Sequence, residues 1–268
     1  NESGDQNASM GVDCGDFDND GRLDFFMTSY QAELPVLYRN IGDGLLADVT
    51  RSIRAAEASF AHVNWGTGFV DFDNDSDRDI FIANGHTEDN IELRDKSSAY
   101  RARNLLLENT GDGRFVNVSN SAGDGLWPVH ASRGTAFDDL DNDGDIDAVI
   151  LNIRQEPTLL RNDSAGANHW LQIRLEGRRT NRGGVGARVK VVTGDLTQVD
   201  EVHSGRGYQS HWGSRLHFGL GLRDRVDRVE VRWIGGRVDV LENVDVDQLL
   251  KITEGVSPIP SERVDHGP

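Results

Sequence analysis

Three nine-residue segments carry carboxylates at alternating positions: Asp16-Phe-Asp18-Asn-Asp20-Gly-Arg22-Leu-Asp24, Asp71-Phe-Asp73-Asn-Asp75-Ser-Asp77-Arg-Asp79 and Asp139-Leu-Asp141-Asn-Asp143-Gly-Asp145-Ile-Asp147. In a tight loop such side chains converge on one point, and their mutual repulsion is unfavourable unless a hard divalent cation sits among them. The oxygen-only donor set points to Ca²⁺, one ion in each ladder. The expected ligands are Asp16, Asp18, Asp20 and Asp24, then Asp71, Asp73, Asp75 and Asp79, then Asp139, Asp141, Asp143 and Asp147. The seventh position, held by Arg22, Asp77 and Asp145, is expected to ligate through its carbonyl and to leave its side chain free. Ser76 stands where the other ladders have Gly21 and Gly144. A left-handed backbone there costs a non-glycine residue roughly 1 kcal/mol or more, so the second site is expected to be the weakest.

The same spacing opens an EF-hand loop, which also needs a bidentate Glu at position 12 and a helix on either side. Position 12 is Met27, Ile82 and Ile150 in the three copies. Residues 23–29, 79–84 and 147–152, which follow the ladders, are short and rich in Phe, Ile and Val, the pattern of buried strands. Each ladder is therefore expected to join two β-strands.

The elements around the ladders repeat as well. Gly11, Gly66 and Gly134 stand five residues before each first Asp, and Asn40-Ile-Gly42-Asp43-Gly44 and Asn109-Thr-Gly111-Asp112-Gly113 mark hairpin turns beyond the next strand. Short strands at 45–49 and 114–118 complete units of four strands, the signature of propeller blades. The extra length between ladders falls in 51–64 and 88–103, read as surface insertions. The third unit is truncated: Leu159-Leu160-Arg161-Asn162 is followed by no Gly-Asp-Gly, which marks a boundary near residue 165. A partial propeller is expected. Either these residues are the C-terminal portion of a longer chain with further blades, or the third unit borrows a strand from the residues beyond that boundary and the blades stack as a short open array.

From Asn168 the pattern changes to longer strands with glycine-rich turns, at 169–175, 187–193, 198–203, 215–218, 226–233 and 248–253. The alternation of Val226-Asp-Arg-Val-Glu-Val-Arg-Trp233 implies sheets with one wet face, and no helix-period segment of useful length appears. The expected fold class is all-β: propeller blades over 1–165, a small antiparallel β-sandwich or barrel over 166–255 and a flexible tail at 256–268.

The ladders with their Gly-Asp-Gly partners resemble FG-GAP/VCBS repeats, the calcium-binding blades also found in integrin α-chain propellers, over about residues 8–163. The later stretch resembles the ASPIC/UnbV domain. It does so through Asn181-Arg-Gly-Gly-Val-Gly186-Ala-Arg-Val, Gly205-Arg206-Gly207-Tyr208-Gln-Ser210, His217-Phe-Gly-Leu-Gly221 and Val231-Arg-Trp-Ile-Gly-Gly236, departing at Ile234, where the family more often has Pro. The resemblance implies this pair of folds and calcium, and a setting like that of secreted cartilage acidic proteins and many bacterial proteins.

Composition limits the partners. Against 28 Lys and Arg stand 45 Asp and Glu, a formal charge of −17, and a surface that stays acidic even with a cation in each ladder argues against nucleic acid and anionic membranes. No apolar run approaches the ~20 residues of a membrane span. The chain begins at Asn1 and reads as a mature product or a fragment in which no targeting signal is visible. An extracellular, cell-surface or periplasmic setting is expected.

Cys14 reads as a small buried residue. Gly183-Gly-Val-Gly186 lacks the Lys-Ser/Thr of a phosphate loop and reads as tight turns. His203, His211 and His217 lie close in sequence but without metal-ligand spacing. The Gly205–Ser210 segment offers Arg206, Tyr208 and Ser210 either as an exposed binding loop or as a strand crossover. No catalytic residues are assigned, because the paired carboxylates are accounted for by the ladders. Two functions remain. One is a calcium-binding, non-catalytic interaction or adhesion module with a protein or glycan partner, using the ladder face and the sandwich loops. The other is an enzyme or accessory protein of a biosynthetic pathway, as with UnbV relatives among enediyne biosynthesis genes.

Overall fold

The computed structural model describes residues 4, 6–52, 54, 57–164 and 166–256, which form eighteen strands in five sheets. Of the expected C-terminal tail only Val256 is among the described residues, and the expected boundary residue 165 lies outside them. The first sheet contains β1 (Val12–Gly15), β2 (Asp24–Met27), β3 (Val36–Gly42) and β4 (Leu45–Asp48), and the second β5 (Asn64–Val70), β6 (Asp79–Asn84), β7 (Leu105–Asn109) and β8 (Phe115–Asn117). Both run in sequential antiparallel order. The third has three strands, β9 (Ser132–Asp138), β10 (Asp147–Asn152) and β11 (Thr158–Leu160).

Each ladder is the loop of the first hairpin of its blade. The residue before the first Asp pairs with the last Asp in all three: Gly15 with Asp24, Val70 with Asp79 and Asp138 with Asp147. The loops close through left-handed residues at two repeated places, Asn19, Asn74 and Asn142 (φ 54°, 60° and 62°) and Gly21, Ser76 and Gly144 (φ 85°, 91° and 100°). Asn tolerates that region better than most residues, so the fourth ladder position is as constrained as the sixth.

The three blades meet through their inner strands β1, β5 and β9. The glycines ahead of the ladders permit this: a Cβ on Gly11 would lie 2.1 Å from the Trp65 carbonyl oxygen, and one on Gly66 2.6 Å from that of Arg133. Phe17, Phe26 and Leu37 of the first blade pack on Phe69, Leu107 and Phe115 of the second, and Val70 and Phe81 pack on Phe137, Ile146 and Ile150 of the third. Asn109 Nδ2 also donates across blades to the Phe17 carbonyl (2.8 Å), as Asn162 Nδ2 does to that of Phe72 (2.6 Å). The truncated third unit is a three-stranded sheet to which no strand of the second unit is added among the described residues, so the borrowed-strand alternative does not hold.

The second unit contains β12 (His169–Glu176), β13 (Arg188–Thr193), β14 (Leu196–Glu201), β15 (Arg215–Gly221), β16 (Arg225–Arg232), β17 (Val238–Asp245) and β18 (Gln248–Thr253). They form two sheets, β15-β12-β18 and β14-β13-β16-β17, around a core that includes Leu171, Val189, Phe218, Val229, Trp233 and Ile252. One pair departs from the antiparallel rule, because β12 and β18 run parallel. The sequence reading missed β17, most of whose residues are exposed or half-buried. The Gly235-Gly236 turn ahead of it was the available signal. The insertions at 51–64 and 88–103 hold single-turn 3-10 segments and bury Ser59, Val63 and Ile91.

Candidate metal centres

Within each ladder the first and last Asp are buried and tied to the backbone in the same way. Asp16 accepts from the Asp20 and Gly21 N–H groups (3.0 and 2.9 Å), Asp71 from Asp75 and Ser76 (3.1 and 2.9 Å), and Asp139 from Asp143 and Gly144 (3.1 and 3.0 Å). Asp24, Asp79 and Asp147 each accept from the backbone of the second ladder residue and of an Asn in or just after the third strand (Asn40, Asn109 and Asn162), as Asp147 does from Leu140 (3.0 Å) and Asn162 (2.8 Å). Oxygens of Asp16, Asp18 and Asp24, of Asp71, Asp73 and Asp75, and of Asp139, Asp141 and Asp147 lie within 4.8 Å of one another in their respective groups.

These carboxylates are uncomfortable neighbours. Burial, with help from adjacent acids, pushes Asp16 up to about 6, Asp24 to about 7, and Asp75 and Asp145 to about 6. Burial and the facing acids push Asp71 and Asp79 well above the usual carboxylate range. Asp18 Oδ1 is buried with no hydrogen-bond partner. A hard cation taking oxygen donors answers all three conditions, since it holds carboxylates ionised and fills an unsatisfied oxygen. The residues present fit Ca²⁺.

The seventh position differs from the sequence expectation. Asp77 Oδ1 accepts from Asn19 Nδ2 (3.2 Å) and Asp145 Oδ1 from Asn74 Nδ2 (2.9 Å), so the fourth residue of one ladder grips the seventh of the next. Asn142, last in the series, accepts from Arg215 Nη1 (2.8 Å). Arg22 is not free either: its guanidinium turns back onto Asp20, and Nε donates to the Asn40 carbonyl (2.6 Å). Arg39 adds ion pairs to Asp18 (2.6 Å) and Asp20 (3.3 Å). The first ladder thus carries two guanidiniums on its carboxylates, where no such ion pair is found in the second among the described residues. The linking asparagines were missed although Asp-Asn-Asp stands in all three copies.

The sequence reading offered the ladder face as a contact surface, but much of it is turned toward the second unit. Gln172 Nε2 donates to Asp139 Oδ2 (2.8 Å), Asn168 Nδ2 to the Asp73 carbonyl (2.9 Å) and Arg188 to the Gly21 carbonyl. Gly219 lies against the Asp71 carboxylate, where a Cβ would come within 2.0 Å of Oδ2. His217 Nε2 meets Asn74 Oδ1 at 2.6 Å. Burial, then Arg78 and Arg215, push that imidazole down to about 3, so it is neutral and Nε2–H is the donor.

The segment containing Arg206, Tyr208 and Ser210 is the crossover of the two alternatives, and Arg206 is not available as a reading group. It is buried, forms a bidentate pair with Asp13 (2.6 and 3.0 Å), donates to the Cys14 carbonyl (3.1 Å) and stacks its guanidinium 3.9 Å from the Trp212 ring. Gly207 exchanges backbone hydrogen bonds with Val12, Tyr208 packs edge-on against Trp65, and the Ser210 hydroxyl donates to the Arg206 carbonyl. The loop therefore plugs the axis at which the inner strands of the three blades converge. Asp200 lies beside it: burial pushes this acid upward, but Arg78 (3.0 Å) and Arg206 outweigh that and hold it below its usual value.

A family model described as FG-GAP-like repeat matches residues 16–82, and one described as ASPIC and UnbV matches residues 177–259. The chain joins FG-GAP-like repeats to an ASPIC and UnbV domain. No curated protein matches it. The FG-GAP-like match covers the first two ladders and ends within β6, and the third hairpin loop, outside it, shares their geometry. His203, His211 and His217 do not form one site. His217 meets Asn74, His211 is exposed, and His203 lies 3.5 Å from Cys14 Sγ and 3.9 Å from Asp200. This Cys–His–Asp arrangement spans both domains and was invisible in the sequence. Burial, then Asp13, push the Cys14 thiol up to about 12, the opposite of what a thiolate nucleophile requires.

No helix among the described residues is long and apolar enough to cross a membrane.

Proposed function

We propose that this chain is a calcium-binding, non-catalytic interaction module of a secreted or surface-displayed protein. Ca²⁺ in the three ladders joins the blades to one another and to the ASPIC and UnbV domain. The observation that carries this reading is the threefold convergence of buried carboxylates, with proton affinities raised toward neutrality and an unsatisfied Asp18 oxygen. Asp16, Asp18 and Asp24, then Asp71, Asp73, Asp75 and Asp79, then Asp139, Asp141 and Asp147 would hold the ions, with Asp20 and Asp143 as further donors. The ion supplies charge neutralisation at a domain interface, where Gln172, Gly219 and His217 already sit on the ladders.

Extracellular calcium modules bind at ~0.1–1 mM, the range in which such an interface stays loaded outside cells. A protein or glycan partner would then use surfaces away from the ladder contacts. Isothermal titration of the chelator-stripped chain tests the reading, with saturable calcium binding expected and its absence at millimolar calcium refuting it.

A further inference from the structure

The third blade differs from the other two in one respect: among the described residues nothing pairs with its outer edge. In the first blade the Leu37 N–H donates to Thr50 Oγ1 and its carbonyl accepts from the Val49 N–H. In the second blade Leu106 makes the same pair of bonds with Ser119 Oγ and the Val118 N–H. Each residue stands three before the Asn whose N–H caps the last ladder Asp, Asn40 and Asn109, and Leu159 holds that place before Asn162. Leu159 pairs with Val149 on one side of β11, on the other edge no strand follows among the described residues, and Leu159 is 63% exposed.

The missing strand also leaves a volume. Phe115 of β8 fills the gap between the first two blades, 6.0 Å from the Phe17 ring, and leaves Phe17 only 4% exposed. Between the second and third blades the same place is a cleft of about 810 Å³. Phe72, Leu106, Val118, Ile146 and Leu160 line it. Phe72 and Leu106, the counterparts of the buried Phe17 and Leu37, are only half-buried there.

We propose that β11 and this cleft form a docking site for an extended partner strand with the pattern of the blade's own fourth strand. Such a strand carries a basic residue, an aromatic next to it, Val three places later and then a hydroxyl residue, as in Arg114, Phe115, Val118 and Ser119. It adds antiparallel to β11 as β8 adds to β7, taking the outward Leu159 N–H and carbonyl and placing the aromatic against Phe72. Charge favours the same occupant. Glu108, Asp124 and Asp163 stand on the rim with a single arginine, Arg161, which is already paired with Asp163 (2.8 Å). A basic residue ahead of the aromatic is therefore matched. This site gives a partner class to the interaction-module reading on which it rests, while its geometry depends on the blades and not on bound calcium.

The probe is a fluorescent peptide of residues 109–120, added to the intact 268-residue chain in calcium and in chelator, with calcium binding measured on the same samples. Saturable anisotropy change at micromolar chain is expected. Leu159→Pro, which removes the outward N–H at an edge where proline is tolerated, should weaken binding at least about tenfold. Replacing the peptide's aromatic with serine should do the same without touching the protein. No saturation up to about 1 mM, or binding indifferent to both changes, overturns the proposal. So does a dimer of the chain, seen by sedimentation, that the peptide does not displace, because it gives the edge to a second copy. Peptide binding without calcium binding would leave the strand site standing and remove the calcium reading. Calcium binding without peptide binding would do the reverse.

Discussion

Removing the Asp13 carboxylate should be the most damaging single change at the joint between blades and second unit. In Asp13→Ala, Arg206 loses both arms of a bidentate pair (2.6 and 3.0 Å), and the Phe69 N–H loses its acceptor (2.7 Å). The guanidinium cannot escape to water, because it is 6% exposed and wedged between Trp212 and the Cys14 carbonyl. Breaking a buried pair by deleting one partner costs about 3–5 kcal/mol, and for a chain of this size each kcal/mol lowers the melting temperature by about 2–4 °C. A drop of roughly 6–20 °C is expected, read by circular dichroism at fixed calcium. Asp13→Leu with Arg206→Met should recover most of the loss, since an apolar pair of similar volume often matches a buried ion pair. A cost below about 1 kcal/mol for Asp13→Ala, or strictly additive single changes, would refute the reasoning.

Chelation should lower the melting temperature, since at free calcium ~100-fold above the dissociation constant each independent site adds about 2.7 kcal/mol; a transition unmoved by EDTA contradicts this. Arg22→Ala should raise calcium affinity at the first ladder about two- to fivefold by releasing Asp20, as judged from the worth of an exposed ion pair; calorimetry finding no change removes the competition argument. Ser76→Gly should relieve roughly 1 kcal/mol at a φ of 91°, seen as a higher melting temperature or tighter binding at the second ladder, and a variant gaining neither contradicts the strain. Asn74→Ala should destabilise by about 1–3 kcal/mol, because half-buried His217 loses its acceptor and Asp145 its donor. Glu254 accepts from the Arg178, Arg179 and Thr180 N–H groups, and the Thr180 N–H above all holds it down to about 2. Its contribution is present above the unfolded value near ~4.3 and lost as pH falls toward 2. Glu254→Gln should remove that part of the acid dependence of a urea midpoint.

What was legible in the sequence was whatever repeats at short range. The ladders, the Gly-Asp-Gly turns and the truncated third unit each depend on local backbone conformation, and the structure keeps all three. The strands of the second unit were legible where alternation is clean, as over Val226 to Trp233, and β17 was lost where Val240 and Leu241 break the period. The asparagine links were present as repeats but unread, because their partners lie on the next blade. Docking of the second unit on the ladders, and the burial of Arg206, depend on contacts between residues far apart in the chain. Nothing in the local pattern around Gly205 distinguishes an exposed loop from a plug.

The plug also imposes an order on assembly. Arg206 and Asp13 are 193 positions apart, so the last groups to seal the axis are among the later ones made on the ribosome. Contacts of such long sequence separation form slowly, because chain entropy must be lost before they repay it. Until the plug arrives, Asp13 lies at the blade axis without its cation and Phe137 lacks the Trp212 ring that packs 4.9 Å away. Blades made before the plug would therefore expose an unsealed, partly apolar centre, a surface open to premature association.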